Sequence, residues 1–277
     1  MNKSLVLAAA VTAAFATLPA RAALETMVPY DSFDNTDQQL DPNLWGPSYG
    51  AVEQARYIDD SGRLMVAQRV LAKKTSNSGT TYGSYGVGFY NPATIKEIAA
   101  TITVQGAGAA PCAANTDAGF SAVRVIGSFF NDGGKTANSQ VNDIVAQVRM
   151  ERSADSTAVE SVTNVVARVD KCLSADCAET TNLYKATLRS NLAKDVASRV
   201  YLRWDQAAKT FNFKEGSQAY QKYTYTMVDT VTPSVAFKAL QVRNKIENCT
   251  TGTHDGWANG LFENIYVNSS GDRTPSL

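Results

Sequence analysis

Polar and apolar residues alternate along most of this chain, and no other feature constrains its fold as strongly. In residues 143–152, the even-numbered positions from 144 to 150 are apolar and most odd-numbered positions are polar. Residues 184–192 and 198–204 follow the same rule. Because successive side chains of a strand point to opposite faces of a sheet, this alternation is typical of antiparallel strands with one buried face.

Short turn sequences separate the alternating segments. Asp59-Asp60-Ser61-Gly62 joins two of them, and Asn131-Asp132-Gly133-Gly134 and Asp205-Gln206-Ala207-Ala208 each follow one. Asp, Asn and Gly favour tight turns because they tolerate unusual backbone angles or bond to nearby backbone groups. We count about a dozen strand segments and, apart from a turn near 91–97, no amphipathic helix. The sequence therefore predicts an all-β sandwich or barrel.

The first 22 residues are typical of a bacterial export signal. Lys3 precedes an apolar run at 5–18, and Ala20-Arg21-Ala22 places small residues at the −3 and −1 positions of a cleavage site. The run, at roughly 14 residues, is too short to favour a membrane span, which needs about 20; a buried N-terminal helix is the alternative. We expect a secreted or periplasmic protein in which residues 23–277 form a single β-sandwich domain, with no membrane span after cleavage.

The charge balance argues against nucleic acid as a partner. The chain has 26 basic and 26 acidic residues. Lys3 and Arg21 belong to the expected signal, which leaves 24 basic against 26 acidic residues, a net charge of about −2. Binding to nucleic-acid phosphates depends on clustered basic charge, and this composition provides no such excess.

The four cysteines form an even set, and an exported protein usually oxidises such a set to disulfides. Three pairings are open. Cys172 and Cys177 flank only four residues, which favours a local bridge and leaves Cys112 with Cys249. A zinc site is the alternative, but this spacing is not typical of zinc ligands.

Several segments resemble concanavalin A-like lectin/glucanase jelly rolls. Residues 30–45 (YDSFDNTDQQLDPNLW) and the hairpin ending at 59–67 are similar to the opening of such domains, and 261–268 (LFENIYVN) is similar to their closing strand. Residues 123–132 and 200–213 resemble their central strands. The resemblance implies an antiparallel two-sheet jelly-roll sandwich. It implies no single activity, because this fold carries lectins, hydrolases, lyases and adhesion modules.

The glycoside hydrolases of this superfamily resemble one another in a Glu-x-Asp-x-x-Glu strand. The two carboxyls of a retaining enzyme must lie about 5–5.5 Å apart, which alternate positions of one strand can supply. The nearest segment here is 147–151, which has one carboxylate, Glu151, and an arginine, Arg149. This argues against a two-carboxylate hydrolase of that type. A carboxylate pair assembled from different strands stays open.

Polysaccharide lyases on jelly rolls resemble one another in using Arg and Gln to neutralise a uronate, with His and Tyr for proton transfer. Polar strand faces carry Gln147, Arg149, Tyr201 and Arg203, and we expect these side chains to bind a ligand if the chain has such a site. The one histidine, His254, lies in a Gly- and Thr-rich loop and is expected to be solvated. Tyrosines such as Tyr82 could stack on sugars, although tyrosine is also common in strands for packing.

A structural calcium is the cofactor that the resemblance implies. Many concanavalin-like jelly rolls hold one where the first and last strands meet. The matching positions here are Asp31 or Asp34, the region of Gly62, and Glu263, where Glu replaces the usual Asp. The alternative is that these aspartates end strands and form Asx-turns.

We therefore expect an exported carbohydrate-binding or surface-interaction protein. Its partner would be a glycan or a cell-surface polymer, and it lacks the two-carboxylate hydrolase motif. A polysaccharide lyase or atypical glycoside hydrolase acting on an extracellular glycan is one alternative. A structural envelope or matrix component is the other.

Overall fold

The computed structural model of the protein describes residues 25–34, 40–41, 44–45, 53–155, 162–252 and 254–271. These residues contain fourteen β-strands and one 3-10 turn, Pro92–Thr94. The export signal expected in residues 1–22 lies outside it. The strands are β1 (Met27–Asp31), β2 (Glu53–Ile58), β3 (Leu64–Leu71), β4 (Thr80–Gly88), β5 (Glu97–Ala109), β6 (Phe120–Asn131), β7 (Asp143–Ser153), β8 (Val162–Cys172), β9 (Thr180–Ala193), β10 (Ala197–Asp205), β11 (Thr210–Glu215), β12 (Gln221–Thr224), β13 (Lys238–Glu247) and β14 (Asp255–Asn268).

The strands form two antiparallel sheets. The eight-stranded sheet has the order β12-β11-β10-β5-β14-β3-β2, with β1 also paired to β14, and the six-stranded sheet has the order β4-β13-β6-β7-β8-β9. The all-β, two-sheet antiparallel sandwich expected from the alternation is therefore confirmed. Within the described residues, no helix has the length and apolar character needed to cross a membrane.

The core lies between the sheets because the apolar positions of each strand face inward. The even-numbered positions of β7, from Ile144 to Met150, are fully buried, as the alternation predicted. On the facing sheet, Val200, Leu202 and Phe211 are buried in the same cluster. Burying one such side chain contributes roughly 1.5–3 kcal/mol relative to leaving it in water.

The two ends of the described chain meet in the eight-stranded sheet. Strand β1 pairs antiparallel with β14, with Val28 opposite Val267 and Asp31 opposite Ile265. The Asp31 carboxylate accepts hydrogen bonds from the backbone N–H of Phe33 and from the indole N–H of Trp45. These contacts hold the opening segment against the closing strand, whereas residues 35–39 lie outside the described residues.

Both expected disulfides are present. Cys112–Cys249 joins residues 137 positions apart, and Cys172–Cys177 closes the short connection between β8 and β9. The chain-entropy model gives about 5 kcal/mol for the long loop and about 2 kcal/mol for the short one. No cysteine of the described chain is free, so the zinc alternative is excluded for these four.

Lys238 is a buried cation inside the sandwich. Only 3% of the residue is exposed, and its ammonium donates to the Ser128 carbonyl and lies 4.2 Å from the centroid of the Phe129 ring. Burial alone lowers the pKa of Lys238 to about 7, with no charged group contributing. The folded protein therefore carries the cost of a desolvated ammonium at acid and neutral pH.

Replacing this lysine should stabilise the protein in a pH-dependent manner. An unfolded lysine titrates near 10.5, so the cost is complete below pH 7 and disappears as the pH rises toward 10.5. We expect Lys238→Met to raise the free energy of unfolding most below pH 7, with the gain shrinking between pH 7 and 10. Denaturant unfolding of both proteins from pH 6 to 10 measures this difference.

Lys194→Met is the matched control, because the Lys194 side chain is 56% exposed. Its effect on the free energy of unfolding should not change across the same pH range. A gain from Lys238→Met that stayed constant from pH 6 to 10 would contradict the buried-cation account.

Candidate functional site

A cleft covers the outer face of the six-stranded sheet. Its cavity has a volume of about 670 Å³, and its floor is formed by outward-facing side chains of β4, β13, β6, β7 and β8. Antiparallel sheets usually expose such a face to water. Here the floor residues Arg124, Gln147 and Arg149 are only 8%, 5% and 4% exposed. The cleft is therefore a largely desolvated polar site.

Arg124 of β6 lies at the centre of the floor. It donates to the side-chain oxygens of Gln147 (3.1 Å), Gln241 (2.8 Å) and Ser84 (3.3 Å), which are all neutral groups. Its Nε has no hydrogen-bond partner, and it forms no ion pair with a described residue. Burial, together with the nearby cation of Arg243, lowers the pKa of Arg124 well below its usual value. Arg124 is thus a buried cation that lacks a counter-ion.

Arg149 of β7 lies directly opposite Arg124 in the strand register, but its charge is neutralised. Its guanidinium forms an ion pair with Glu151 and lies 4.1 Å from the centroid of the Phe120 ring. Lys185 reaches the other oxygen of Glu151 at 3.5 Å. Burial lowers the pKa of Arg149 to about 10, and the Glu151 charge opposes this shift. The Arg149 side chain is therefore held mainly by protein groups.

Gln147 is oriented by both of its neighbours. Its Oε1 accepts from Arg124, and its Nε2 donates to the Asp170 carboxylate at 3.1 Å. Asp170 also accepts from Arg168 (2.6 Å) and Asn182 (2.9 Å). The Asp170 charge is thus paired with Arg168, and Gln147 connects this ion pair to Arg124.

A second cation, Arg243 of β13, lies at the β4 side of the floor. It donates to Ser84 at 2.9 Å and lies 4.5 Å from the centroid of the Tyr82 ring. It forms no ion pair with a described residue, and burial lowers its pKa. Because Ser84 accepts from both Arg124 and Arg243, the two guanidinium groups lie close together and give this part of the cleft a positive potential.

The structure does not bring all four predicted ligand-binding residues together. Gln147 and Arg149 lie in the cleft, whereas Tyr201 and Arg203 lie on the outer face of the eight-stranded sheet, across the core. Tyr201 is covered by Lys214, 4.1 Å from its ring centroid, and Arg203 pairs with Asp205 at 3.2 Å. A single groove lined by Gln147, Arg149 and Tyr201 therefore does not form.

Sequence reasoning missed Arg124, Gln241 and Arg243. A signal for Arg124 was present, because it is the one charged residue in the apolar segment 122–130 of β6. Gln241 and Arg243 alternate with the buried Leu240 and Val242 in the same manner as the polar residues of β7.

Glu151 and Asp170, the carboxylates that accept hydrogen bonds from Arg149 and Gln147, are too far apart to form a hydrolase pair. Glu151 is opposite Asn164 in the β7–β8 pair, and Asp170 lies six positions further along β8, which corresponds to about 20 Å. Retaining enzymes need about 5–5.5 Å and inverting enzymes about 6.5–9.5 Å between carboxyls. His254 does not line the cleft, and its Nε2 bonds to the Thr251 carbonyl at 2.9 Å.

The predicted calcium ligands are only partly brought together. A Cβ at Gly62 would lie 3.0 Å from the Phe33 carbonyl oxygen and 3.1 Å from the Asp34 Cα, so these segments are in contact. Both Asp31 oxygens, however, already accept protein hydrogen bonds. Among the described residues, no three acidic, histidine or cysteine side chains group around a common point. These residues do not fit an acidic calcium cage, and calcium at Asp31, Asp34, Gly62 and Glu263 stays a prediction from the resemblance.

No protein-family model matches the chain, and no curated protein matches it. Solved structures are similar to it in fold. A laminarinase from Flavobacterium sp. UMI-01 has 10% identity and a TM-score of 0.49, covering 89% of this chain and 100% of its own. The marine PL7 alginate lyase AlyA1 from Zobellia galactanivorans has 11% identity and a TM-score of 0.42, and the match covers 88% of this chain and 93% of the lyase. The potassium-bound carbohydrate recognition domain of Emp46p has 9% identity and a TM-score of 0.41, and the match covers 85% of this chain and 97% of that domain.

The two antiparallel sheets agree with the sandwich that the resemblance to concanavalin A-like jelly rolls implied. At identities of 9–11% and TM-scores below 0.5, the similar structures carry no conclusion about activity or ligand.

The Arg149–Glu151 pair should be important for stability. Glu151→Gln would leave the buried Arg149 guanidinium without its counter-charge, and breaking a buried pair in this way costs about 3–5 kcal/mol. We expect Glu151→Gln to lower the free energy of unfolding, measured with urea, by an amount near that range. The double variant Arg149→Met/Glu151→Leu removes both charges and should recover most of the loss. A loss below about 1 kcal/mol for the single variant would show that Arg149 does not depend on this pair.

Proposed function

We propose that this chain is an exported carbohydrate-binding protein that holds an acidic glycan in the cleft of the six-stranded sheet. The observation that carries the proposal is the state of Arg124, a buried guanidinium with an unpartnered Nε and only neutral partners. Burying a charge without a counter-ion is costly, so sites of this kind are usually retained for a ligand. A carboxylate or sulfate group would supply the missing charge.

The surroundings of Arg124 suit a sugar that carries such a group. Guanidinium groups bind carboxylates and sulfates through paired N–H donors, and Arg243 is close enough to share the same anion. The amide and hydroxyl groups of Gln147, Gln241 and Ser84 are the kind of side chain that bonds to sugar hydroxyls. The cavity volume of about 670 Å³ lies within the usual range for small-molecule sites, about 300–1,000 Å³.

Binding without catalysis is favoured over the two enzymatic alternatives. The distance between Glu151 and Asp170 opposes a hydrolase that uses this pair of carboxylates. A lyase needs a base near the acidic sugar, and Tyr82 is the tyrosine whose side chain reaches this cleft. A hydrogen bond to Asp176 raises the pKa of Tyr82, which opposes its action as a base at neutral pH. Tyr82 nevertheless lies beside Arg243, a cation that could hold the acidic group of a substrate, and this proximity keeps a lyase as the second candidate.

Export is part of the proposal. Both pairs of cysteines form disulfides, and proteins with such bonds usually belong to oxidising compartments outside the cytosol. This agrees with the export signal expected in residues 1–22, with a glycan or cell-surface polymer as the natural partner. A structural envelope or matrix role without a ligand is the remaining alternative.

Arg124→Met tests the proposal. The substitution keeps an unbranched apolar stem and removes the charge, so we expect binding to polygalacturonate or chondroitin sulfate to weaken about 10- to 100-fold, the usual range for a charge-assisted hydrogen bond. Wild-type binding should also weaken as salt increases, because ions screen the interaction. Isothermal titration calorimetry measures both effects, and ultraviolet absorbance of the incubated polymers detects unsaturated lyase products.

Arg199→Met is the matched control, because Arg199 lies on the outer face of the eight-stranded sheet, over the Tyr266 ring. It should leave binding unchanged. Uncharged dextran should bind weakly to every variant. Equal affinity of wild type and Arg124→Met for the acidic polymers, or no binding of either polymer to the wild type, would contradict the proposed function.

A further inference from the structure

The connection between β8 and β9, residues Leu173–Glu179, folds into a compact strap. The Leu173 N–H donates to the Glu179 carbonyl at 2.8 Å, and the Cys172–Cys177 disulfide closes the strap at its base. Asp176 at the tip accepts from Ser174 Oγ at 2.8 Å and from the Ala178 N–H at 3.1 Å. These bonds give the strap a defined shape of its own.

The strap lies on the outer face of the six-stranded sheet. Cys172 packs with Ile126, Val145 and Ala239 in a small apolar cluster that is separate from the main core, and Cys177 contacts the same cluster. Cys177 has a φ of +54°, a left-handed conformation that is unfavourable for residues other than glycine. The disulfide thus holds the strap folded back over the cleft floor, and Asp176, Cys177 and Ala178 line the cavity.

The tip of the strap is bonded to the far side of the sheet. The Tyr82 hydroxyl donates to Asp176 Oδ2 at 2.6 Å. Tyr82 belongs to the edge strand β4, and β13, β6 and β7 lie between β4 and β8. At the usual spacing between strands, β4 and β8 are about 19 Å apart, which is more than a tyrosine side chain can span. The strap must therefore extend across the cleft to meet Tyr82.

We propose that the strap and Tyr82 together determine which glycans enter this site, and the proposal rests on the proposed function. The Tyr82–Asp176 hydrogen bond closes the cleft over the Arg124 floor. An unbranched acidic chain can occupy the cleft beneath the strap, whereas a densely branched chain is excluded while the bond is formed. Long chains enter from the side only when the bond opens, so it limits their rate of association.

Tyr82→Phe tests this idea because it removes only the hydroxyl that bonds Asp176. We expect the association rate constant for long-chain polygalacturonate, measured by surface plasmon resonance, to rise about 3- to 10-fold, the factor that one hydrogen bond provides. The Kd for the galacturonate tetramer should change by about twofold or less. A densely branched pectin fraction should bind the variant better than the wild type.

Two further variants provide a control and a second test. Tyr57→Phe removes a hydroxyl from an exposed tyrosine of β2, in the other sheet, and should leave all three measurements unchanged. Cys172→Ser/Cys177→Ser frees the base of the strap and should accelerate long-chain association at least as much as Tyr82→Phe.

Hydrogen exchange gives a readout that needs no ligand. In the free protein, the amides of residues 173–179 should exchange about 3- to 10-fold faster in Tyr82→Phe than in the wild type. Unchanged exchange, or unchanged association of the long chain with binding intact, would overturn the role of the strap while leaving the proposed function standing. Absence of acidic-glycan binding in the wild type and all variants would overturn both.

Discussion

Strand β7, in the middle of the six-stranded sheet, is buried on both faces, and the organisation of the cleft follows from this constraint. Every residue of β7 from Asp143 to Arg152 is buried, although half of these side chains point away from the core. Charged groups on a covered face must find partners, because an unpaired buried charge is costly. Arg168 pairs with Asp170 and Arg149 pairs with Glu151 for this reason. Arg124 and Arg243 form no ion pair with a described residue, and these two cations define the candidate site.

Arg124 and Arg149 differ in their partners, because only Arg149 forms an ion pair with a described residue. The two residues face each other across β6 and β7, and like charges in that position destabilise a sheet. Glu151 removes the conflict at Arg149 only. The remaining positive charge lowers stability, and the proposed binding role of Arg124 would explain why it is kept.

Much of this architecture could be predicted from alternation, and the limits of that prediction are physical. Alternation specifies which residues of one strand share a face, so the inward positions of β7 were predicted correctly. The short spacing between Cys172 and Cys177 correctly predicted their local bridge. It does not specify which sheet a strand joins. Gln147 and Tyr201 both lie on polar strand faces, but β7 and β10 belong to opposite sheets, so these side chains face away from each other. A lone charge in an apolar segment marks Arg124 as unusual, but the sequence does not show that Gln147 and Gln241 lie beside it.

The strap also explains why the floor residues are so little exposed. A sheet face covered by a rigid apolar layer would need apolar residues, as the small cluster of Ile126, Val145 and Ala239 beneath the disulfide provides. Beyond that cluster the cover is polar, since Asp176 at its tip is an anion facing Tyr82 and the nearby Arg243. The Tyr82 hydrogen bond is the largest cause that lowers the pKa of Asp176, to about 2, so this carboxylate stays ionised at physiological pH. A negative group at the rim reduces the repulsion between the two arginines of the floor while no ligand is bound.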